Sequence, residues 1–209
     1  MNVFYEEEGA FKVGSVLADN DTSLQVEAPH GKRSKVKSSA VLLRFEAPLH
    51  TALIGEAQAC ADAIDIDFLW QCCGTEEFSY ETLAREYFGH APGAVESAGV
   101  LIRLHGAPMY FYKKGRGRYK AAPAEALKAA LASIERKRLQ ALARTAYVAE
   151  LAAGGLPEAF RPLLGTLLYQ PDKNSIEWKA LEEASVAAKL TPVRLLERCG
   201  ALPDVMPIT

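Results

Sequence analysis

Along the first 45 residues apolar and polar side chains alternate, and this alternation predicts short strands. Residues 11–17 (FKVGSVL) and 23–28 (SLQVEA) change character at most positions, and Asp19, Asn20 and Asp21 between them have turn chemistry. Pro29, His30, Gly31 and Lys32 signal a second turn, followed by further short strands at 35–37 and 41–45. Four or five short strands in so few residues predict a small SH3-like β-barrel. So small a sheet must close or pack on the rest of the chain, here through faces that include Leu43 or Phe45. Pro48 marks its exit.

From His50 the period lengthens. Leu53, Ala57, Cys60, Ala61 and Ile64 follow a 3.6-residue spacing, and a second short helix at 67–70 ends by Gly74. Ser79 is placed to cap a helix that Gly89 stops, Pro92 and Gly93 make a turn, and 94–104 is a third helix with Val95, Ala98, Leu101 and Ile102 on its apolar face. Residues 108–112, 113–117 and 118–120 read as strand, glycine-rich turn and strand. Helices, tight turn, helix and basic hairpin in this order predict a winged helix-turn-helix. Pro123 opens an alanine-rich helix over 124–153 that Gly154 and Gly155 end. Helices at 157–169, 175–189 and 192–199 follow, the last closed by Gly200. The expected fold is α+β and mostly helical. It comprises a small N-terminal SH3-like β-barrel (1–47), a winged helix-turn-helix (48–122), a helical bundle (123–200) and a linker (201–209).

Composition adds limits. The chain has 209 residues, of which 49% are hydrophobic, enough for a real core. Its formal net charge is only −2, so any attraction for phosphate must be local. The start, MNVFYEEEGAF, has acids where a signal peptide needs a basic flank, and no run approaches the roughly 18 apolar residues of a membrane span. A cytoplasmic chain with no membrane partner is expected. Cys60, Cys72, Cys73 and Cys199 show no CxxC spacing and read as idle thiols. His30, His50, His90 and His105 are scattered, and Asp62, Asp65 and Asp67 suit helix surfaces or caps better than a metal. There is no P-loop, GxGxxG or GxSxG. No catalytic or metal-binding residue can be nominated, and neither a cofactor nor a small-molecule ligand is expected for this chain.

Two basic patches carry the candidate chemistry. Lys113, Lys114, Arg116, Arg118 and Lys120 crowd one hairpin, flanked by Phe111, Tyr112 and Tyr119. Mobile cations for phosphate beside flat faces for bases suit single-stranded RNA. Lys32, Arg33, Lys35 and Lys37 form a second patch on a strand edge. Lysines there are equally the standard protection against edge-to-edge aggregation. Arg136, Lys137 and Arg138 read as a solvated helix face.

Several stretches together resemble the N-terminal half of a ribonuclease II (RNB-type) exoribonuclease of the bacterial branch that carries a winged helix. They are the opening strands, FSYETLAREYFG (78–89), GRGRYKAAP (115–123), LLYQPDKNSIEWKALEEAS (167–185) and LLERCGALPD (195–204). The resemblance implies a substrate-recognition region of an enzyme that degrades single-stranded RNA from its 3′ end. Magnesium would be held by an aspartate cluster in the catalytic domain; that cluster has no counterpart here, and the chain stops about where it should begin. The tandem cold-shock-type barrels of the better-known family pattern are absent as well. Two rival readings are a DNA-binding winged-helix regulator and a protein-interaction scaffold. Against the first, 94–104 offers only Arg103 against Glu96 for reading a major groove. Oligomeric state is not legible.

Overall fold

The computed structural model describes residues 1–201, so the expected linker lies, Ala201 apart, outside the described residues. The fold is α+β and mostly helical, 52% helix against 21% strand. None of the described helices is long and apolar enough to cross a membrane. The chain divides into two compact units, Met1–Ala130 and Leu131–Thr209.

The first unit opens with β1 (Asn2–Glu7), β2 (Ala10–Asp19), β3 (Ser23–Glu27) and β4 (Arg33–Lys37), then a 3-10 turn (Ser38–Ala40) and β5 (Val41–Phe45). They form an antiparallel sheet in the order β4-β3-β2-β1-β5. The expected closed barrel does not form: β4 and β5 lie at opposite ends and do not pair, so the sheet is open. Packing replaces closure. One face gathers Val3, Tyr5, Leu24, Val26, Val36 and Ala40, while Phe4, Val13 and Phe45 on the other join the core of the following helices. β1 is thus buried on both faces. Its sequence lacks a clean alternation for that reason, and no separate strand was legible there.

The helices are α1 (His50–Ala63), α2 (Ile66–Gln71), α3 (Tyr80–Phe88) and α4 (Ala94–His105), with strands β6 (Phe78–Ser79), β7 (Phe111–Gly115) and β8 (Arg118–Ala121). Local chemistry sets their ends. Asp65 accepts the Phe68 amide at 3.2 Å to start α2, and Ser79 accepts that of Glu81 at 3.3 Å to start α3. α4 lies so close to α1 that a Cβ on Gly99 would stand 2.8 Å from the Cys60 sulfur. Phe4, Phe45, Leu53, Leu69, Leu83, Leu101, Phe111 and Tyr119 share one core, joining the N-terminal strands to these helices. A second sheet runs β6-β8-β7. Its hairpin turns on Arg116 and Gly117 alone; Lys113 and Lys114, expected in the turn, belong to β7.

α5 (Ala124–Ala152) begins in the first unit and runs into the second. There a 3-10 turn (Glu158–Leu163), α6 (Leu164–Tyr169), α7 (Ile176–Ala188) and α8 (Pro192–Arg198) follow. The single helix expected at 157–169 is divided, since Pro162 has no amide to donate and sits within the tighter turn. Leu151, Phe160, Leu164, Leu167, Leu181, Leu195 and Leu196 form this unit's core. Ser175 and Thr191 cap α7 and α8.

Candidate nucleic-acid interface

β4 is an edge strand, and its two-residue period separates the side chains cleanly. Val36 points into the sheet core, whereas Arg33, Lys35 and Lys37 are exposed on the other face, with Lys32 exposed just before them. Successive cations stand ~7 Å apart along the strand. Arg33 is engaged by Glu27 at 3.3 Å. Among the described residues no carboxylate lies within ion-pair distance of Lys32, Lys35 or Lys37.

The hairpin β7–β8 divides its basic residues between two faces. Tyr112, Lys114 and Arg118 are exposed and Lys120 half-exposed on the outward side, while Phe111, Tyr119 and Ala121 are buried. Arg118 lies 3.5 Å from Glu77. Tyr119, nominated as a stacking face, is only 1% exposed and packs in the core, so it offers no ring to a base. It pairs across the strands with Lys113, whose ammonium donates to Glu6, a buried carboxylate at the end of β1. Lys113 is therefore spent on the fold. Among the described residues, the second oxygen of Glu6 and the Tyr119 hydroxyl find no hydrogen-bond partner, and both are buried. Burial, and after it the Glu6 charge, push the Tyr119 hydroxyl up to about 12.

The tip is not free. Arg116 donates from Nη1 to the Ser39 carbonyl at 3.0 Å and to its hydroxyl at 3.3 Å. Ser39 lies in the 3-10 turn directly after Lys37, so the two basic patches, expected in separate domains, meet at this turn. Gly117 makes the approach possible. It has φ +69°, and a Cβ there would stand 2.9 Å from the Tyr80 ring and 3.3 Å from Leu42. Tyr80 fastens the same corner: its hydroxyl donates to the Leu42 carbonyl at 2.5 Å, and its amide to the Gly117 carbonyl at 2.8 Å. Burial, and then the Glu81 charge, hold that hydroxyl protonated well above its ordinary range.

The remaining candidates fall into place singly. Arg136 and Lys137 are exposed on α5, and Arg138 pairs with Glu135 at 2.6 Å. Asp62 accepts from Gln58, Asp65 caps α2, and Asp67 accepts the Tyr110 hydroxyl at 2.7 Å, so each acid has its own structural partner. Cys72 is exposed; Cys73 is half-buried, its thiol pushed up to about 12 chiefly by burial. α4, which would read a duplex, buries Ser97, Ala98, Gly99, Val100, Leu101 and Leu104, and Arg103 donates to the Ile64 carbonyl. It presents no face to a groove. Sequence reasoning missed Glu6: nothing in the run Glu6-Glu7-Glu8 distinguishes the buried acid from its solvated neighbours.

Comparison of the chain with protein-family models, with curated proteins and with solved structures returned no match.

Proposed function

We propose that this chain binds single-stranded RNA along one cationic surface made by the β4 edge and the β7–β8 hairpin. The observation that carries the reading is the bond from Arg116 to Ser39, which sets the tip of the basic hairpin against the turn that follows Lys37. Exposed cations without carboxylate partners can release counterions on meeting phosphates, and Tyr112, 39% exposed, leaves a ring for a base. Two features of the topology support the reading. The order α1, α2, β6, α3, α4, β7, β8, with β6 on β8, suits a winged helix with one added short helix. The β4-β3-β2-β1-β5 order, with a 3-10 turn before β5, suits an SH3-like sheet. Burial of α4 favours a single strand over a duplex read through its major groove. That the surface serves a ribonuclease II-like exoribonuclease, contributing recognition rather than hydrolysis, rests on the sequence resemblance alone.

Filter binding of a single-stranded RNA across a salt series tests the surface. The logarithm of affinity should fall with the logarithm of salt by about 0.7 per phosphate contact. Charge reversal at Lys37, Lys114 and Arg116 together should remove about three contacts' worth of that slope. The same reversal at Arg136, Lys137 and Arg138 should change it little. Wild-type binding by the first variant would end the proposal. With magnesium, the purified chain should leave an end-labelled RNA unshortened; chelator-sensitive release of nucleotides would give it a hydrolytic role.

A further inference from the structure

β5 is the last strand of its sheet, so one of its edges pairs with β1 and the other meets no strand. Alongside it is an open groove of about 470 Å³, lined by Val41 to Arg44 of β5, by Tyr80, Glu81 and Arg85 of α3, and by Ala91, Pro92 and Ser97. The strand's free main-chain groups can offer hydrogen-bond donors and acceptors to this space, and of these the Leu42 carbonyl is already engaged by Tyr80. Arg44 and Arg85 line the groove against one carboxylate, Glu81. Arg44 is shared with Asp19 at 3.3 Å, whereas among the described residues Arg85 has no carboxylate within ion-pair distance. The groove begins at Val41, immediately after the 3-10 turn that holds Arg116.

We infer that this groove receives a base of the bound RNA strand, while its phosphates lie on Lys37 and Arg116. The inference rests on the RNA-binding reading above and adds a subsite to it. A backbone edge that alternates donors and acceptors complements the hydrogen-bonding edge of a nucleobase. A guanidinium plane and a proline ring are flat surfaces for its π-face. The volume falls within the range of small-ligand sites, about 300–1,000 Å³. Arg85, which has no ion-pair partner among the described residues, suits an anionic strand. An extended peptide adding to the edge of β5 would need a longer free run of main chain than a five-residue strand with one carbonyl already taken.

The test compares a short single-stranded RNA with its abasic counterpart, which keeps every ribose and phosphate but carries no bases, binding the full chain. Wild type should prefer the base-bearing strand by about tenfold, the lower range of one base contact. Ala91→Trp, which puts a large side chain into the groove, and Arg85→Ala, on the exposed side of α3, should each remove most of that preference, leaving the part that Tyr112 contributes. Ala91→Trp, which leaves every cation in place, should keep the wild-type affinity and salt slope for the abasic strand. Thermal melts equal to wild type identify variants that fold. Equal binding of the two strands by wild type overturns the groove and leaves the cationic surface standing, whereas binding of neither overturns both. If the groove variants keep the preference and Tyr112→Ala abolishes it, the bases stack on the hairpin and the groove is not their site. Binding of extended peptides that Ala91→Trp blocks, without any base preference, would assign the groove to a protein partner instead.

Discussion

Glu6 and Lys113 illustrate how a side chain's role depends on which surface covers it. The carboxylate is buried at the end of β1 and the half-exposed lysine reaches it from β7. Lys113→Ala would leave that carboxylate without its counter-charge. A loss of about 2 kcal/mol in urea unfolding is expected, below the cost for a fully buried pair because Lys113 is partly in water. Tyr119→Phe should behave oppositely, since its hydroxyl is buried without a partner; stability should hold or rise by up to about 1 kcal/mol. The same hydroxyl makes stability pH-dependent. Its folded value of about 12 exceeds the ordinary value near 10, so the proton's contribution is whole below pH 10. Above that the unfolded chain ionises first, and stability falls as pH rises toward 12. Tyr80, raised in the same direction, adds to the fall, so Tyr119→Phe should flatten a urea-midpoint profile without levelling it.

At the scale of the element, the hairpin shows that two similar glycines do different work. Both Gly115 and Gly117 read from sequence as turn residues. Gly117 has positive φ and no room for a Cβ beside Tyr80, while a Cβ on Gly115 would meet only Arg118 Cβ at 3.9 Å. Gly117→Ala should therefore cost about 2 kcal/mol or more and loosen the tip from Tyr80 and Leu42. Gly115→Ala should stay within about 0.5 kcal/mol. Paired chemical-denaturation curves check this, and equal effects at both positions would refute the packing argument. Caps obeyed their local signals: Ser79, Asp65, Ser175 and Thr191 each accept the amide that their place before a helix predicts. The strand β7 did not, because the extent of a strand depends on its partner. Lys113 and Gly115 pair with Tyr119 and Arg118 of β8 and carry Lys114 between them into β7, a contact that no local propensity of Lys-Lys-Gly expresses.

Across the first unit, the N-terminal sheet and the helices behave as one folding body because they share a core. Phe4, Val13 and Phe45 turn from the sheet into the cluster that holds Leu53, Leu101 and Phe111, with Leu43 packed against it. Residues 1–47 alone would expose that face. Circular dichroism of the isolated segment should show no cooperative melt, whereas residues 1–130 should melt as a unit. A sharp transition of the short segment would show that its own small core, around Leu24, Val26 and Val36, is enough.

By itself the sequence determined which residues enter most of the helices, where most of those helices start and stop, and which residues share a face of β4. Those properties arise from spacing, capping and turn chemistry within a few residues. The tertiary structure alone decided which of those faces is covered. It placed β1 between two strands and two cores, turned Tyr119 inward, left the sheet open, and buried α4 where a groove-reading helix would need exposure. It also brought Arg116 to Ser39, far apart along the chain, so that the tip of one basic patch meets the turn that follows the other. Periodicity specifies the faces of an element, but only long-range packing chooses what lies against each of them, and the candidate site is built from such contacts.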